Sequence, residues 1–367
     1  MQKSQYLKAI VLGAFLFVLA ACGDNTDNAS TGNGDNQIEK IETIHVKTTL
    51  YPLEDFTNRI GGEFVKVDNI VPVGADAHTF EPTANQMIEV AEADLFIYNG
   101  ADFEGFADSI KDTVASHDVT VVTASEGIDL ISYDHDHDDH DHSHDNDHHH
   151  DHENDHDADN HNHSHNHDES NVEHHDHNDN EENHSEDDHD HSHGEEDPHV
   201  WLDPIRSIQL AENIKEALID INPEEQETFE ANFETLKEEL EKLDEELQTM
   251  SESADRSMIV VSHAGYGYWE DRYGIEQIAI AGLSPSNEPS IQQIQTTISL
   301  MEDHDINYVM FEQNIPTNLA ETVKNEVGAE DVWLHNLEAL TEEDIENNEN
   351  YFSLMRRNIE ALETVLN

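Results

Sequence analysis

Outside one histidine-packed tract the chain holds only seven histidines: His45, His78, His117, His199, His263, His304 and His335. Three of them stand at predicted junctions between strand, loop and helix, amid glycine, proline and small residues. His78 lies in Gly74-Ala75-Asp76-Ala77-His78-Thr79-Phe80-Glu81-Pro82, His199 just ahead of Asp203-Pro204, and His263 in Ser262-His263-Ala264-Gly265-Tyr266. Neutral imidazole is the commonest protein ligand for a metal, and in open α/β sheets ligands gather beyond the carboxyl ends of strands. One loop histidine would be an ordinary solvated or capping side chain. Three in corresponding places point to a metal site. His45 precedes a strand, and His117 and His304 sit at predicted helix ends, where an imidazolium suits the helix dipole; these read as surface residues.

The elements that must position these side chains alternate in type. Apolar runs predict strands over 44–50, 64–71, 95–99 and 119–123, with helices over 53–60, 84–93 and 103–115 between them. The same rhythm returns with strands over 258–262, 276–281, 306–311 and 331–335 and helices over 266–273, 290–302, 318–327 and 351–366. This βαβα order implies parallel sheets covered by helices, hence an α/β fold with two lobes. No internal repeat is visible beyond the alternation itself. Between the lobes, Asp203 as N-cap and Pro204 at the first helical position start a helix to about 219. Asn222-Pro223 starts a longer one to about 251. Its stripe of Phe229, Phe233, Leu236, Leu240, Leu243, Leu247 and Met250 suits either a coiled-coil dimer or a single helix laid along both lobes of its own chain. Four heptads flanked by α/β lobes favour the second, and with it a monomer.

Residues 134–198 break the pattern. They hold 21 of the 28 histidines, many Asp, Glu, Asn and Ser, and no Lys or Arg. So little apolar surface cannot offset the entropy of ordering, which predicts a disordered insertion. Its Asp-His alternation would bind several zinc ions loosely, and more weakly below about pH 6.5 as imidazoles protonate. The whole chain carries a formal net charge of −68, which excludes nucleic acid as a partner, because phosphate binding needs basic clusters. At the other end, Lys3 and Lys8 precede an apolar run over 9–20 that is too short to span a membrane and reads as a secretory signal. It closes in Leu19-Ala20-Ala21-Cys22, and Cys22 is the only cysteine. A lone cysteine there predicts cleavage after residue 21 and lipid attachment at Cys22, on the outer face of a bacterial membrane. A flexible tether over 22–40 follows. The expected organisation is then an N-terminal lobe over 41–203 carrying the insertion, linking helices over 204–254 and a C-terminal lobe over 255–367.

Several stretches together resemble one family. Gly74 to Pro82, His199-Val200-Trp201-Leu202-Asp203-Pro204, the run from Ser262 through Gly274, Gly282-Leu283-Ser284-Pro285-Ser286-Asn287-Glu288-Pro289-Ser290 and Asn336-Leu337-Glu338-Ala339-Leu340 are similar to the zinc and manganese solute-binding lipoproteins of ABC importers. That resemblance implies two α/β lobes, each with a mainly parallel four-stranded sheet, joined by a rigid linking helix. It implies delivery of the metal to a membrane permease. It places His78, His199 and His263 at the family's metal positions and an acid, Glu338, at the fourth. Glu312, after the strand over 306–311, is the other carboxylate that chain geometry would allow. Three imidazoles and a carboxylate make a nitrogen-rich tetrahedral set that suits Zn²⁺, whereas Mn²⁺ prefers more oxygen and higher coordination. Asp76, Glu81, Asp203 and Glu288 are candidates to orient the imidazoles through their second ring nitrogens, with capping the plainer reading of Asp203. In this scheme His78 and His199 from the N-terminal lobe meet His263 and Glu338 from the C-terminal lobe. The alternatives are a zinc hydrolase, against which the absence of H-E-x-x-H and the acid at the fourth position count, and a surface adhesin or metal buffer without a transporter.

Overall fold

The computed structural model describes residues 43–133, 195–287 and 289–367; the expectations for Cys22, the tether, the tract over 134–194 and Glu288 fall outside them. The first lobe runs β1 (Ile44–Thr48), α1 (Tyr51–Gly61), β2 (Val65–Asn69), α2 (Ala84–Ala91), β3 (Leu95–Tyr98), α3 (Ala107–Val114) and β4 (Thr120–Thr123). Two-residue strands β5 (Ser132–Tyr133) and β6 (Glu195–Glu196) then pair antiparallel. Helices α4 (Pro204–Ile221) and α5 (Gln226–Ser253) follow. The second lobe runs β7 (Met258–His263), α6 (Gly267–Tyr273), β8 (Glu276–Ala281), α7 (Ile291–Asp303), β9 (Tyr308–Glu312), α8 (Asn318–Val327), β10 (Glu330–Leu334), α9 (Glu342–Glu346) and α10 (Tyr351–Leu366).

Each lobe holds a four-stranded, wholly parallel sheet, in the orders β2-β1-β3-β4 and β8-β7-β9-β10. Read strand for strand these are the same order, so the fold is built twice, a repeat the sequence does not announce. The two copies share little more than Glu81-Pro82-Thr83-x-x-Gln86 and Glu288-Pro289-Ser290-x-x-Gln293. In both, the hydroxyl and the glutamine close a reciprocal cap on the helix that follows the second strand. The interior strand β3 (Leu-Phe-Ile-Tyr) is buried along its whole length, as a strand covered on both faces should be.

Helix α5 is 28 residues long, about 42 Å at 1.5 Å per residue. It packs on α1 and α4 at one end and on α6 and α10 at the other. Its seven apolar stripe residues are all buried, so the stripe is spent inside the chain rather than offered to a second copy. Helix α4 lies beside α1 and β4, which leaves α5 as the element that spans both lobes. Asp203 caps α4, with Oδ1 accepting from the Ile205 and Arg206 N–H at 2.8 and 3.1 Å.

One boundary and one additional element stand out against expectation. The polar tract was expected to reach 198, yet Asp197 and Pro198 are buried and β6 pairs with β5. The acids that open this stretch extend the composition of the tract, so composition alone cannot show where folding resumes. The short helix α9 was not expected, because its Glu-Glu-Asp-Ile-Glu sequence has no apolar period; a reciprocal cap between Thr341 and Asp344 starts it.

Candidate metal centre

Three loops and the end of one strand converge between the lobes. His78 lies on the β2–α2 loop, where Asp76 Oδ1 accepts its N–H at 3.0 Å. His199 follows β6, and Asp197 Oδ1 accepts its N–H at 2.9 Å. Glu338 follows β10, and Asn336 Oδ1 accepts its N–H at 3.2 Å. Each of these three is therefore fixed by an Asp or Asn two residues earlier, a turn that such side chains form with their own backbone. His263 differs: it is the last residue of β7 itself. Phe103 packs on the His78 ring at 4.6 Å between centroids and on Trp201 at 5.2 Å, closing one wall.

The four side chains meet tip to tip, with their donor atoms all within 4.8 Å of one another. His78 Nε2 stands 3.1 Å from Glu338 Oε1 and 3.3 Å from His199 Nε2. His263 Nε2 stands 3.2 Å from His199 Nε2 and 3.9 Å from Glu338 Oε1. Donors at the corners of a tetrahedron, each ~2.05 Å from a zinc ion, stand about 3.3 Å apart. Three of these spacings, 3.1, 3.2 and 3.3 Å, match that value, and the set could hold one cation with a small inward shift of Glu338 and His263. Behind the rings, His199 Nδ1 bonds Asp197 Oδ1 at 2.8 Å, and His263 Nδ1 stands 2.7 Å from Glu312 Oε2 at an oblique angle. With both Nδ1–H groups turned to carboxylates, these partners assign the Nε2 lone pairs to the centre. Two such lone pairs 3.2 Å apart repel unless a proton or a metal ion lies between them.

The electrostatics agree. Burial would raise the Glu338 carboxyl, but the imidazoles, His78 foremost, draw it down to about 2. Burial disfavours charge on His263, yet Glu312 above all, with Glu338 and Asp197, lifts it to about 9. For His199 burial prevails over Asp197 and the pKa falls. Glu338 Oε2 is buried with no hydrogen-bond partner among the described residues, a costly state for a carboxylate unless a cation compensates it. Gly265 lines the same space: a Cβ there would stand 2.8 Å from His263 Nε2 and 2.9 Å from its Cε1. Only glycine lets the chain pass so close to the ring.

Of the carboxylates expected to orient the rings, none of the three described does. Asp76 holds the His78 backbone and the Thr79 hydroxyl. Glu81 is exposed. Asp203 is spent on its cap and on Arg206 and Arg272. Asp197 and Glu312 stand behind the rings instead, and Glu312 lies on the Nδ1 side of His263, away from the centre. Asp197 carries no mark inside its acidic run except its place two residues before His199, which repeats the spacing of Asp76 and His78.

The segment bearing Glu338 is also shared between lobes. Its carbonyls at Asn336, Glu338 and Leu340 accept from the Trp201 indole (2.9 Å), the Tyr51 N–H (3.0 Å) and the Gly74 N–H (2.9 Å), all in the first lobe. Glu338 belongs to the second lobe by sequence and is fastened to the first by hydrogen bonds. The tyrosine hydroxyls of Tyr351 and Tyr268, on Trp201 and Asp197 carbonyls at 2.7 Å each, and the Trp269 indole on Leu202 at 2.9 Å add to the seam.

Comparison with known proteins agrees with this architecture. Residues 46–365 match the family described as ZnuA, zinc-uptake complex component A, periplasmic. The chain is 29% identical to the high-affinity zinc uptake system protein ZnuA of Bacillus subtilis over 357 residues, 97% of this chain and 96% of that one. It is 30% identical over 327 residues to the zinc-binding lipoprotein AdcA of Streptococcus pneumoniae, covering 89% of this chain but 56% of the relative, so it spans about half the length of that protein. The crystal structure of the Zn(II)-bound ZnuA-like domain of that AdcA superposes with a TM-score of 0.64 at 28% identity, over 88% of this chain and 99% of the domain. With the match running through nearly every described element, this chain belongs to the ZnuA family of zinc-uptake components.

Proposed function

We propose that this protein is the solute-binding component of a zinc ABC importer. It captures Zn²⁺ with His78, His199, His263 and Glu338 and hands it to a membrane permease. The observation that carries this reading is the mutual approach of three imidazole nitrogens and one carboxylate oxygen at tetrahedral spacing. Zinc is favoured over manganese because the set is nitrogen-rich and four-coordinate. Transport is favoured over catalysis because four protein donors take the four positions, where a hydrolytic zinc keeps one for water. The names of the relatives, a zinc uptake protein and a zinc-binding lipoprotein, support the same reading. So does Cys22 after Leu19-Ala20-Ala21, as the point of lipid attachment outside the cytoplasm. No described helix is long and apolar enough to cross a membrane. The stripe of α5, buried in its own chain, favours a monomer. Hydrogen bonds along the seam favour small tilts of the lobes over wide opening, so the permease would receive the ion by loosening loops.

The test is a calorimetric zinc titration of the full chain with manganese as competitor. One tight zinc equivalent that manganese does not displace, distinct from weaker sites, is expected. Weak sites alone would assign zinc binding to the histidine tract and overturn the reading.

A further inference from the structure

His335 is buried and is not among the four converging side chains of the centre described above. Its surroundings give it a different task. Its main chain is clamped to α10 by Asn358, whose Oδ1 accepts the His335 N–H at 2.7 Å and whose Nδ2 donates to the His335 carbonyl at 2.8 Å. Its ring bridges the turn that follows. Nδ1 accepts the Leu337 N–H at 2.9 Å, and Nε2 lies 3.0 Å from Asp344 Oδ2. Because Nδ1 accepts, the proton must sit on Nε2 and point to Asp344. Asp344 in turn accepts from the Thr341 N–H (2.9 Å) and hydroxyl (2.6 Å) and from Arg357 (3.0 Å).

The residue that this ring holds is strained. Leu337 has φ of +62°, a left-handed conformation that a leucine adopts only when its surroundings impose it. Glu338 comes next, so the direction of its carboxylate depends on that turn. Two i to i+2 hydrogen bonds overlap here, from Leu337 N–H to the His335 ring and from Glu338 N–H to Asn336. The first imposes the left-handed residue, and the second sets the ligand.

We infer that His335 is a positioning residue for the metal centre: its Nδ1 fixes Leu337 in the left-handed turn and so aims Glu338 at the cation. The inference rests on the proposed zinc site and adds to it the reason one ligand keeps its place before metal arrives.

Two near-isosteric variants separate this role from mere packing. An asparagine side chain puts an oxygen about where Nδ1 stands, whereas glutamine puts its amide nitrogen about where Nε2 stands. His335→Asn therefore keeps the acceptor for Leu337, and His335→Gln keeps the link to Asp344 but loses that acceptor. The full-length protein and both variants are loaded with Co²⁺, loosely held ions are removed with a weak chelator, and the visible spectrum and zinc competition are recorded. The wild type is expected to keep one equivalent with the intense absorption of tetrahedral cobalt. His335→Asn should match it. His335→Gln should lose intensity as the carboxylate leaves and water enters, with zinc affinity falling roughly ten- to a hundredfold, the usual effect of losing a group that orients a ligand. A folded His335→Gln with the wild-type spectrum and affinity would overturn the inference. Should His335→Gln not fold, His335→Asn decides: a folded Asn variant with a weakened spectrum overturns it, and a wild-type spectrum upholds it. A wild type that retains no cobalt would instead overturn the zinc site itself, and the inference with it.

Discussion

The two lobes repeat one strand order yet hold their histidines in different ways. In the second lobe His263 is part of a strand, has no exposure, and is backed by Glu312 from the neighbouring strand. In the first, His78 stands on a long loop with a partly exposed main chain; its ring is buried against Phe103 and among the described residues has no partner at Nδ1. His199 falls between the two, being loop-borne but buried and backed by Asp197. With zinc bound as proposed, the contrast gives the site a preset half, His199 and His263, and a yielding half, His78 on its loop.

The sharpest way to break this contrast is to remove one histidine from each half. His263→Ala is expected to weaken zinc on the order of a hundredfold or more, about a quarter of the ~10–16 kcal/mol that four ligands supply to a structural zinc. It should also lower the Tm of the metal-free protein, because it strands Glu312 as a buried charge. His78→Ala should weaken zinc less, and it should lower the metal-free Tm as well, because it takes from buried Glu338 its nearest imidazole. Calorimetry and thermal melts check both. Equal losses from the two variants would mean that neither half is preset.

A smaller effect sharpens the contrast by making the preset half resemble the yielding one. Glu312→Gln and Asp197→Asn keep shape and remove the charge behind one ring. Each should cost roughly 10–100-fold in zinc affinity, seen in chelator competition, whereas Asp76→Asn, which touches only backbone and Thr79, should cost less than either. An Asp76 variant as damaging as the other two would show that the loop is as constrained as the strand.

A last effect is graded by pH. In the metal-free protein His263 holds a proton up to about pH 9, raised from the ordinary 6.5. A raised pKa stabilises the fold fully below about 6.5, and that contribution fades as pH rises through about 9. Zinc binding must expel the same proton, so its linkage runs the opposite way. Apparent affinity should fall about tenfold for each pH unit below about 9. Metal-free melting points should decline between pH 6.5 and 9, while the zinc-loaded protein does not follow. Zinc affinity independent of pH across that interval would remove His263 from the centre.

How far these features could be read from the residues depends on range. Strand and helix order follows from local apolar periods, and His78, His199 and His263 stand out because each sits beside turn chemistry. Glu338 was reached through family resemblance, since an acid among many in so acidic a chain carries no mark. The Asp or Asn two residues ahead of His78, His199 and Glu338 is a local signal that could have singled out all three, and Asp197 with them. Glu312 is different: it meets His263 across 49 positions, and no window on the sequence joins two neighbouring strands. His335 likewise owes its place to Asp344 and Asn358, contacts made only once α9 and α10 have folded back. The shared strand order of the lobes is legible only in three dimensions, because burial constrains residue type far more loosely than topology.

The three carbonyls by which the Glu338 segment reaches across to Trp201, Tyr51 and Gly74 have a bearing on heredity. Two halves with the same strand order look like interchangeable parts, each able to be copied, swapped or expressed alone. Here a second lobe on its own would bare three acceptors and lose its grip on a ligand, and a first lobe on its own would hold two histidines and no acid. Recombination between such genes should therefore succeed only where it carries residues 51, 74 and 201 along with 336–340, so that this seam is inherited as one unit although it is written in four places.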